Sequence, residues 1–211
     1  MAGSVAEGAT TAVATVDVWT GRVADLVRAS APEVLAADEV RRASTYRHPG
    51  ARARFVAGRI LARRVLGVRL GLDARAVPLV VLPSGRPVLR WPADIAFSLS
   101  HTGALVVLAV GVGVGGVGVD VERIRPLAEA GRIARAHFPP TEHAAFLAMP
   151  PEERGESFFR AWTRMEARFK LAADTNAPAV LHEWVPETGY RAALATRVSV
   201  AVRHMPPPGG D

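Results

Sequence analysis

The hydrophobic pattern changes period along the chain, and each period predicts a type of secondary structure. Over residues 51–70 the apolar side chains recur three or four positions apart, as on one face of an α-helix, with arginines between them. The pattern leaves two interpretations of this basic helix equally open: a solvated charged surface, or a face that binds an anion. Its apolar members are Phe55, Ile60, Leu61, Val65, Leu66 and Leu70.

Short apolar or β-branched runs bounded by Pro, Gly or Asp are typical of strands. They occupy residues 11–19, 79–82, 87–91, 95–99, 105–110, 117–121, 190–195 and 197–202, and further helices are predicted at 33–43, 127–137, 141–149 and 152–173. Because each half contains helices and strands in comparable amounts, we predict an α+β fold of two similar lobes. The first lobe is expected over residues 1–111 and the second over 112–205, followed by a disordered Pro/Gly-rich tail at 206–211.

Composition narrows the classes of protein. The chain has no cysteine, which excludes disulfides, cysteine-type zinc sites and thiol nucleophiles. Residues 1–20 carry Glu7 and Asp17 and lack a basic start, so no signal peptide is predicted. The uncharged run at 104–119 is too short and too glycine-rich to span a bilayer. We therefore expect a cytoplasmic protein with no membrane partner.

The net charge of +6 favours an anionic partner, such as a phosphorylated cofactor or an acidic protein. Nucleic acid is not expected as a partner, because aromatic residues are only 6% of the chain and the arginine-rich stretch at 52–69 contains just Phe55. The glycine pattern at residues 111–116 fits a dinucleotide-binding fingerprint. A strand rather than a helix is predicted to follow it, which argues against that site.

Asp120 and Glu122 stand two residues apart on a predicted strand, so both carboxylates project from one face. Paired carboxylates repel unless a cation lies between them, and oxygen ligands suit Mg²⁺. A solvated strand end explains the pair equally well. Nearby, Ser100 and His101 end another predicted strand; adjacent strand residues point to opposite faces, so a hydrolytic triad is disfavoured and phosphate binding by His101 is preferred.

Only one of the 26 Lys and Arg residues is lysine: Lys170. On a helix, Trp162, Glu166 and Lys170 fall on one stripe, since they are spaced four residues apart. A site that needs a compact ammonium would retain lysine. Spacing alone, however, favours an ordinary surface pair of Glu166 and Lys170, worth about 0.3 kcal/mol.

Four motifs occur in order along the chain: Gly85-Arg86-Pro87, Phe97 through Gly103, Gly118 through Glu122, and Phe158 through Lys170. Together they resemble the 4'-phosphopantetheinyl transferase superfamily, in particular its monomeric surfactin-synthetase-activating (Sfp) type. The resemblance implies two lobes related by pseudo-twofold symmetry, with coenzyme A and Mg²⁺ in the cleft between them. It also implies transfer of the phosphopantetheine arm to a serine of an acyl or peptidyl carrier protein, with release of 3',5'-adenosine bisphosphate.

The resemblance further implies roles for single residues. Asp120, Glu122 and Glu166 would be the metal ligands, and Asp120, Glu166 and Lys170 the catalytic group. Coenzyme A would be bound by Arg47, Arg54, Arg59, Gly85, Arg86, Pro87, Ser100, His101 and Lys170. The carrier is expected to dock near residues 138–146 through exposed apolar side chains.

The chain departs from the family pattern at Met165, where members commonly have lysine. A coenzyme A-binding ammonium is therefore expected to be missing, and a lysine restored there is expected to tighten coenzyme A binding. The alternative to a working enzyme is a degenerate member that binds coenzyme A or carrier domains without efficient transfer. The retained carboxylates and Lys170 favour the enzyme.

Overall fold

The structure is a computed structural model that describes residues 13–29, 34–91, 94–172 and 178–208. The strands are β1 (Thr15–Arg22), β2 (Leu79–Val81), β3 (Pro87–Leu89), β4 (Ile95–Thr102), β5 (Leu105–Val112), β6 (Val117–Arg123), β7 (Val180–Trp184), β8 (Tyr190–Thr196) and β9 (Ala201–Met205). The helices are α1 (Val23–Arg28), α2 (Ala37–Ser44), α3 (Pro49–Leu70), α4 (Ala130–His137), α5 (Pro140–Ala148) and α6 (Arg154–Ala172).

The long helix α3 covers one face of a four-stranded sheet. Pro49 stands in its first turn, where a missing N–H costs nothing. The central part of its apolar stripe, including Leu61 and Leu66, is buried against Trp19, Phe97 and other side chains of the sheet. Burial of this stripe, rather than its intrinsic helix propensity, accounts for most of the stability of the helix.

The strands of this first sheet run in the order β4-β5-β1-β9. β4 and β5 form an antiparallel hairpin, and β5 pairs antiparallel with β1. The outer strand β9 pairs parallel with β1, although some 180 residues of chain separate them. A small hairpin, β2 with β3, stands apart from this sheet.

The second sheet has the order β6-β8-β7 and packs on the other face of the first. Valines of β1 and β5 share one buried cluster with valines of β6 and with Leu194 of β8. α6 covers the outer face through Ala167 and Leu171. The core therefore has four layers in the order α3, first sheet, second sheet, α6, and β4 meets β6 at the junction between the sheets.

The α+β fold is confirmed, and most predicted elements recur within a few residues of their expected bounds. Two elements were not predicted, α1 and β7. The last strand was expected at 197–202 in the second lobe but runs over Ala201–Met205 and joins the first sheet. The division into lobes and their pseudo-twofold relation stay predictions. The predicted disorder at 209–211 and the starts of the elements predicted at residues 11 and 33 lie outside the described residues.

No helix within the described residues is both long and apolar enough to cross a membrane.

Candidate active site

A cleft of about 850 Å³ opens between the α2–α3 side of the molecule and the C-terminal half of α6. The loop that joins β2 to β3 forms a third wall. The cleft is lined both by residues that the sequence predicts for the site and by others: Asp38, Glu39, Arg42, Tyr46, Phe55, Arg59, Val81, Leu82, Pro83, Ser84, Gly85, Arg86, Pro87, Ser98, Leu99, His101, Glu166, Phe169 and Lys170.

The α3 wall of the cleft carries an excess of buried positive charge. Glu39 is shared by two arginines: its Oε2 lies 2.6 Å from Arg63 Nε, and its Oε1 lies 3.6 Å from Arg59 Nε. Arg59 is only 5% exposed, and its Nη1 has no hydrogen-bond partner among the described residues. Burial lowers the pKa of Arg59, and Glu39 only partly offsets this effect. An anion in the cleft would supply the missing partner.

Two aromatic rings continue this wall toward the opening. The centroids of Tyr46 and Phe55 lie 5.3 Å apart, and the Arg59 guanidinium stands 5.2 Å from the centre of Phe55. Phe169 of α6 is about half exposed and faces the same space. Flat apolar surface beside guanidinium groups suits a ligand that combines a heterocycle with phosphates.

The β2–β3 loop reaches across the cleft to α6. Gly85 has a φ of 84°, a left-handed conformation that favours glycine, and its N–H donates to the carbonyl of Leu82 to close the turn. The next residue, Arg86, donates through Nη1 to the backbone carbonyl of Lys170. Burial lowers the pKa of Arg86. This hydrogen bond joins the β2–β3 loop to the C-terminal end of α6.

His101 lines the cleft at the end of β4. Its ring is open to the cleft, but the protein atoms that crowd it lower its pKa, and the positive charges of Arg54, Lys170 and Arg59 lower it further. The surroundings of the imidazole are thus cationic and would favour a negatively charged ligand.

Glu122 and Glu166 both lie near the carboxylate of Asp120. Asp120 is buried, and its Oδ1 accepts hydrogen bonds from Ser100 Oγ at 2.8 Å and Lys170 Nζ at 2.7 Å. Its Oδ2 is buried without a partner among the described residues. Burial raises the pKa of Glu122 and of Glu166, and the charge of Asp120 raises both further. Asp120 is therefore close enough to Glu122 and to Glu166 to repel each of them.

This donor set fits a hard divalent cation in its chemistry. A cation would relieve the repulsion and give the bare Oδ2 of Asp120 a partner, and carboxylate oxygens are ligands that Mg²⁺ accepts. Within the described part of the chain, no three His, Asp or Glu side chains lie close enough together to hold a metal ion by themselves. Water and substrate oxygens would have to complete the coordination, as they commonly do for Mg²⁺.

Lys170 lies between the cleft and Asp120. Besides its bond to Asp120, its Nζ donates to the carbonyl of Val119 at 3.1 Å. The ion pair is made with a strand of the second sheet and not with Glu166 on its own helix. The surface pair that spacing alone favoured is therefore wrong.

Comparison with known proteins bears on both halves of the chain. The sequence model of the 4'-phosphopantetheinyl transferase N-terminal domain matches residues 37–111, and that of the 4'-phosphopantetheinyl transferase superfamily matches residues 116–181. The chain is 34% identical to the 4'-phosphopantetheinyl transferase AcpT of Salmonella typhimurium over 153 residues, which cover 71% of this chain and 70% of the relative. The chain belongs to the 4'-phosphopantetheinyl transferase superfamily.

Two further members of this superfamily are similar. The transferase HetI of Nostoc is 34% identical over 143 residues, 66% of this chain and 60% of HetI. The transferase psf-1 of Bacillus pumilus is 28% identical over 177 residues, 72% of this chain and 74% of the relative.

The structure brings most of the residues expected from the superfamily to one place. Arg59, Gly85, Arg86, Pro87, His101, Glu166 and Lys170 line the cleft, and Ser100 and Asp120 are bonded to each other next to it. Arg54 acts on His101 through its charge. Arg47 is exposed and is not among the residues lining the cleft.

Two side-chain environments in the second half of the chain differ from those that the sequence suggested. Met165 is 7% exposed and packs in an aromatic cluster with Phe158 and Phe159, so this position faces the core rather than the cleft. Phe138 and Phe146, expected on an exposed carrier surface, are buried in the same cluster.

Sequence reasoning also missed several side chains of the site. Glu39 carries no motif, and its role appears only when α2 packs on α3 and brings it to Arg59 and Arg63. Thr102 stood inside a recognised motif without an assigned contact, and it donates a hydrogen bond to Glu122. The alternation of Ser98, Ser100 and Thr102 was the available signal for this face of β4.

Proposed function

We propose that this protein transfers the 4'-phosphopantetheine arm of coenzyme A to a serine hydroxyl of an acyl or peptidyl carrier domain, acting as a monomer and requiring Mg²⁺. The serine oxygen forms a bond to the β-phosphorus of the diphosphate. The bond from that phosphorus to the bridging oxygen breaks, and 3',5'-adenosine bisphosphate leaves with the electron pair. The serine proton passes to a base on the protein.

The observation that carries the proposal is the pairing of an anion-seeking wall with a carboxylate group across one cleft. Arg59, with its unpartnered buried Nη1, stands opposite the end of α6 that bears Glu166 and Lys170. The first wall would bind phosphates, and the carboxylates beside the second would hold a divalent cation. A substrate with both an adenosine phosphate and a diphosphate would reach from one wall of the cleft to the other.

Each residue then has a definite task. Arg59, Arg54, Arg86 and His101 hold the nucleotide and its phosphates, with Gly85 and Pro87 shaping the loop beside it and Arg47 reaching it from the surface. Lys170 stabilises charge on the diphosphate, and Glu166, which lines the cleft, accepts the serine proton. Ser100 orients Asp120 through its hydroxyl. Asp120, Glu122 and Glu166 would hold Mg²⁺, which supplies charge neutralisation at the phosphates when bound.

Positioning and charge neutralisation account for most of the rate in phosphoryl transfer, so the cleft needs no covalent intermediate on the protein.

The test is an intact-mass assay of transfer. Purified protein is incubated with Mg²⁺, coenzyme A and a panel of apo carriers from fatty-acid, polyketide and nonribosomal-peptide systems. We expect at least one carrier to gain the mass of phosphopantetheine, and its Ser→Ala variant to gain nothing.

A related transferase that modifies the same carriers serves as the positive control. If it converts them while this protein converts none, the transferase proposal is wrong. Retained binding of coenzyme A by calorimetry would then identify the protein as a binding module.

A further inference from the structure

Three hydroxyl side chains of β4 form a ladder along β6. Ser98, Ser100 and Thr102 alternate along the strand and therefore share one face. Each makes a hydrogen bond to a residue 20 or 21 positions later in the chain. The ladder joins the edge of the first sheet to the edge of the second, directly beside the carboxylates.

The two inner rungs bond to the backbone of β6. Ser98 Oγ accepts from the N–H of Val119 at 3.0 Å, and Ser100 Oγ accepts from the N–H of Val121 at 3.3 Å. These N–H groups are buried and would be costly to leave without partners. Ser100 also donates to Asp120, so only Ser98 has a purely structural contact in the ladder.

The outer rung has a different task, because Thr102 bonds to a side chain. Its Oγ1 donates to Glu122 Oε2 at 3.1 Å. A second group near that oxygen is Arg125 Nη1, at 3.7 Å on a side chain that is about half exposed. A neutral donor orients a carboxylate without cancelling its charge, whereas a close guanidinium would compete with a metal cation for it.

The backbone that carries Thr102 is fixed on both sides. Thr102 pairs with Leu105 across the β4–β5 hairpin, and Gly103 makes the turn with a φ of 53°. The N–H of Ala104 donates to the hydroxyl of Tyr190 on β8 at 3.1 Å. The segment that carries the Thr102 hydroxyl is therefore anchored to the second sheet, to which Glu122 belongs.

We propose that Thr102 is a positioning residue that holds the Glu122 carboxylate in the orientation that binds the divalent cation. This inference rests on the proposed function, because it assumes that Glu122 is a metal ligand. It concerns how the ligand is oriented and assigns no contact between Thr102 and the substrate.

The test compares three variants by Mn²⁺ binding, measured by electron paramagnetic resonance in the presence of coenzyme A, and by transfer activity at varied Mg²⁺. Thr102→Val removes the hydroxyl at nearly constant volume, whereas Thr102→Ser keeps the hydroxyl and removes only the methyl group. We expect Thr102→Val to weaken Mn²⁺ binding about tenfold and to raise the Mg²⁺ concentration needed for half-maximal transfer, while Thr102→Ser binds like the wild type.

Thr196→Val is the matched control, since it makes the same substitution at a buried threonine of β8 whose hydroxyl donates to the carbonyl of Val198 and touches no carboxylate. It should lower the melting temperature and leave Mn²⁺ affinity unchanged, the opposite pattern to Thr102→Val. Should Thr102→Val fold poorly, Thr102→Ala gives the same comparison.

Equal Mn²⁺ affinities of wild type and Thr102→Val, or no rescue by Thr102→Ser, would overturn the role of Thr102. Neither outcome touches the proposed function, which fails instead if the wild type transfers nothing to any carrier. The two failures are thus distinguished by different measurements on different proteins.

Discussion

Lysine is retained at position 170 for a reason that its contacts explain. Its Nζ reaches a carboxylate oxygen of Asp120 and the carbonyl of Val119 within 3.1 Å, in a narrow space between α6 and β6. A compact ammonium with donors in several directions satisfies both acceptors, whereas a planar guanidinium is wider and has a fixed fork. The same ammonium stands at the edge of the cleft, near the phosphates expected there.

Replacing Lys170 with arginine should therefore reduce transfer although the charge is kept. We expect at least a tenfold loss of kcat/KM, equivalent to about 1.5 kcal/mol for one charge-assisted hydrogen bond. The control is Arg132→Lys, a change in the same charge class in an exposed ion pair with Glu129. Full activity of Lys170→Arg would show that charge alone is required there.

His101 should make stability depend on pH, and bound coenzyme A should weaken that dependence. Its pKa is lowered in the folded protein, so between that value and its ordinary value near 6.5 the unfolded chain binds more protons than the folded one. The free energy of unfolding therefore falls as the pH drops through this window. Bound phosphates would favour the protonated ring and reduce the loss.

The measurement is the melting temperature from pH 7.5 down to about pH 5, with and without coenzyme A, for wild type and His101→Gln. Other titrating groups cancel in the difference between the two proteins. A wild-type slope that matches the variant's, with and without ligand, would contradict the assignment.

Met165→Lys should cost stability without improving coenzyme A binding, contrary to what the sequence motif alone suggested. The side chain packs among Phe158 and Phe159, and an ammonium placed there loses hydration without gaining a partner. We expect a loss of about 1–3 kcal/mol in the free energy of unfolding. Met165→Leu is the control, because it keeps the volume and the apolar character of the side chain. Calorimetry should give the same coenzyme A affinity for both variants. Tighter coenzyme A binding by the lysine variant would argue against this placement of Met165.

At the scale of elements, α6 and β6 approach so closely that one position between them must be glycine. A Cβ added to Gly118 would overlap the carbonyl oxygen of Ala167 and lie 2.5 Å from the nitrogen of Leu171, both on the helix backbone. These atoms cannot move without shifting the whole helix, which carries Glu166 and Lys170. The glycine of this motif thus sets the distance between the strand and the helix of the site.

Gly118→Ala should accordingly reduce both stability and transfer. We expect a loss of at least about 1–3 kcal/mol in the free energy of unfolding from overpacking, with a fall in kcat. Gly131→Ala in α4 is the matched control, since a Cβ there meets nothing within 4 Å and a helix favours alanine. Denaturant unfolding of both variants checks the prediction, which fails if Gly118→Ala is as stable as the control.

Elements with a strong local signal could be predicted from sequence, and elements fixed by distant partners could not. α3 follows from the spacing of its own apolar residues. β7 was missed because His182 and Glu183 interrupt its apolar pattern at the edge of a sheet. β9 was misplaced because its bounds depend on pairing with β1.

The residues of the site fall into the same two groups, those with a local sequence signal and those whose surroundings depend on distant contacts. Asp120, His101 and Lys170 lie in motifs that the sequence displays, and the structure brings them together. The environments of Glu39 and Met165 depend on packing between helices and were visible only in three dimensions.

At the scale of the molecule, Asp17 joins three distant segments. This buried carboxylate of β1 accepts from Arg203 of β9 at 2.6 and 3.0 Å and also pairs with Arg69 at the end of α3. Arg69 in turn stands 5.6 Å from the ring centre of Trp19. The strand β9 is therefore held by an ionic contact with a buried carboxylate as well as by its ladder with β1.

Asp17→Asn should weaken this junction without touching the cleft. We expect a loss of about 2 kcal/mol in the free energy of unfolding, the scale of hydrogen bonds to a charged group. Glu187→Gln, which breaks an exposed pair with Arg22, is the control and should change stability by less than about 1 kcal/mol. If denaturant unfolding gave the two variants equal stability, the predicted contribution of Asp17 to the free energy of unfolding would be wrong.

The parallel pairing of β9 with β1 has a consequence for biosynthesis. A ribosome must synthesise the chain through Met205 before the outer strand of the first sheet can be added, so the other described strands and helices emerge while one edge of β1 is bare. Exposed strand edges invite pairing with other chains. We expect the nascent chain to be prone to such pairing until β9 is in place, and the first sheet to be completed by that late step rather than by helix formation.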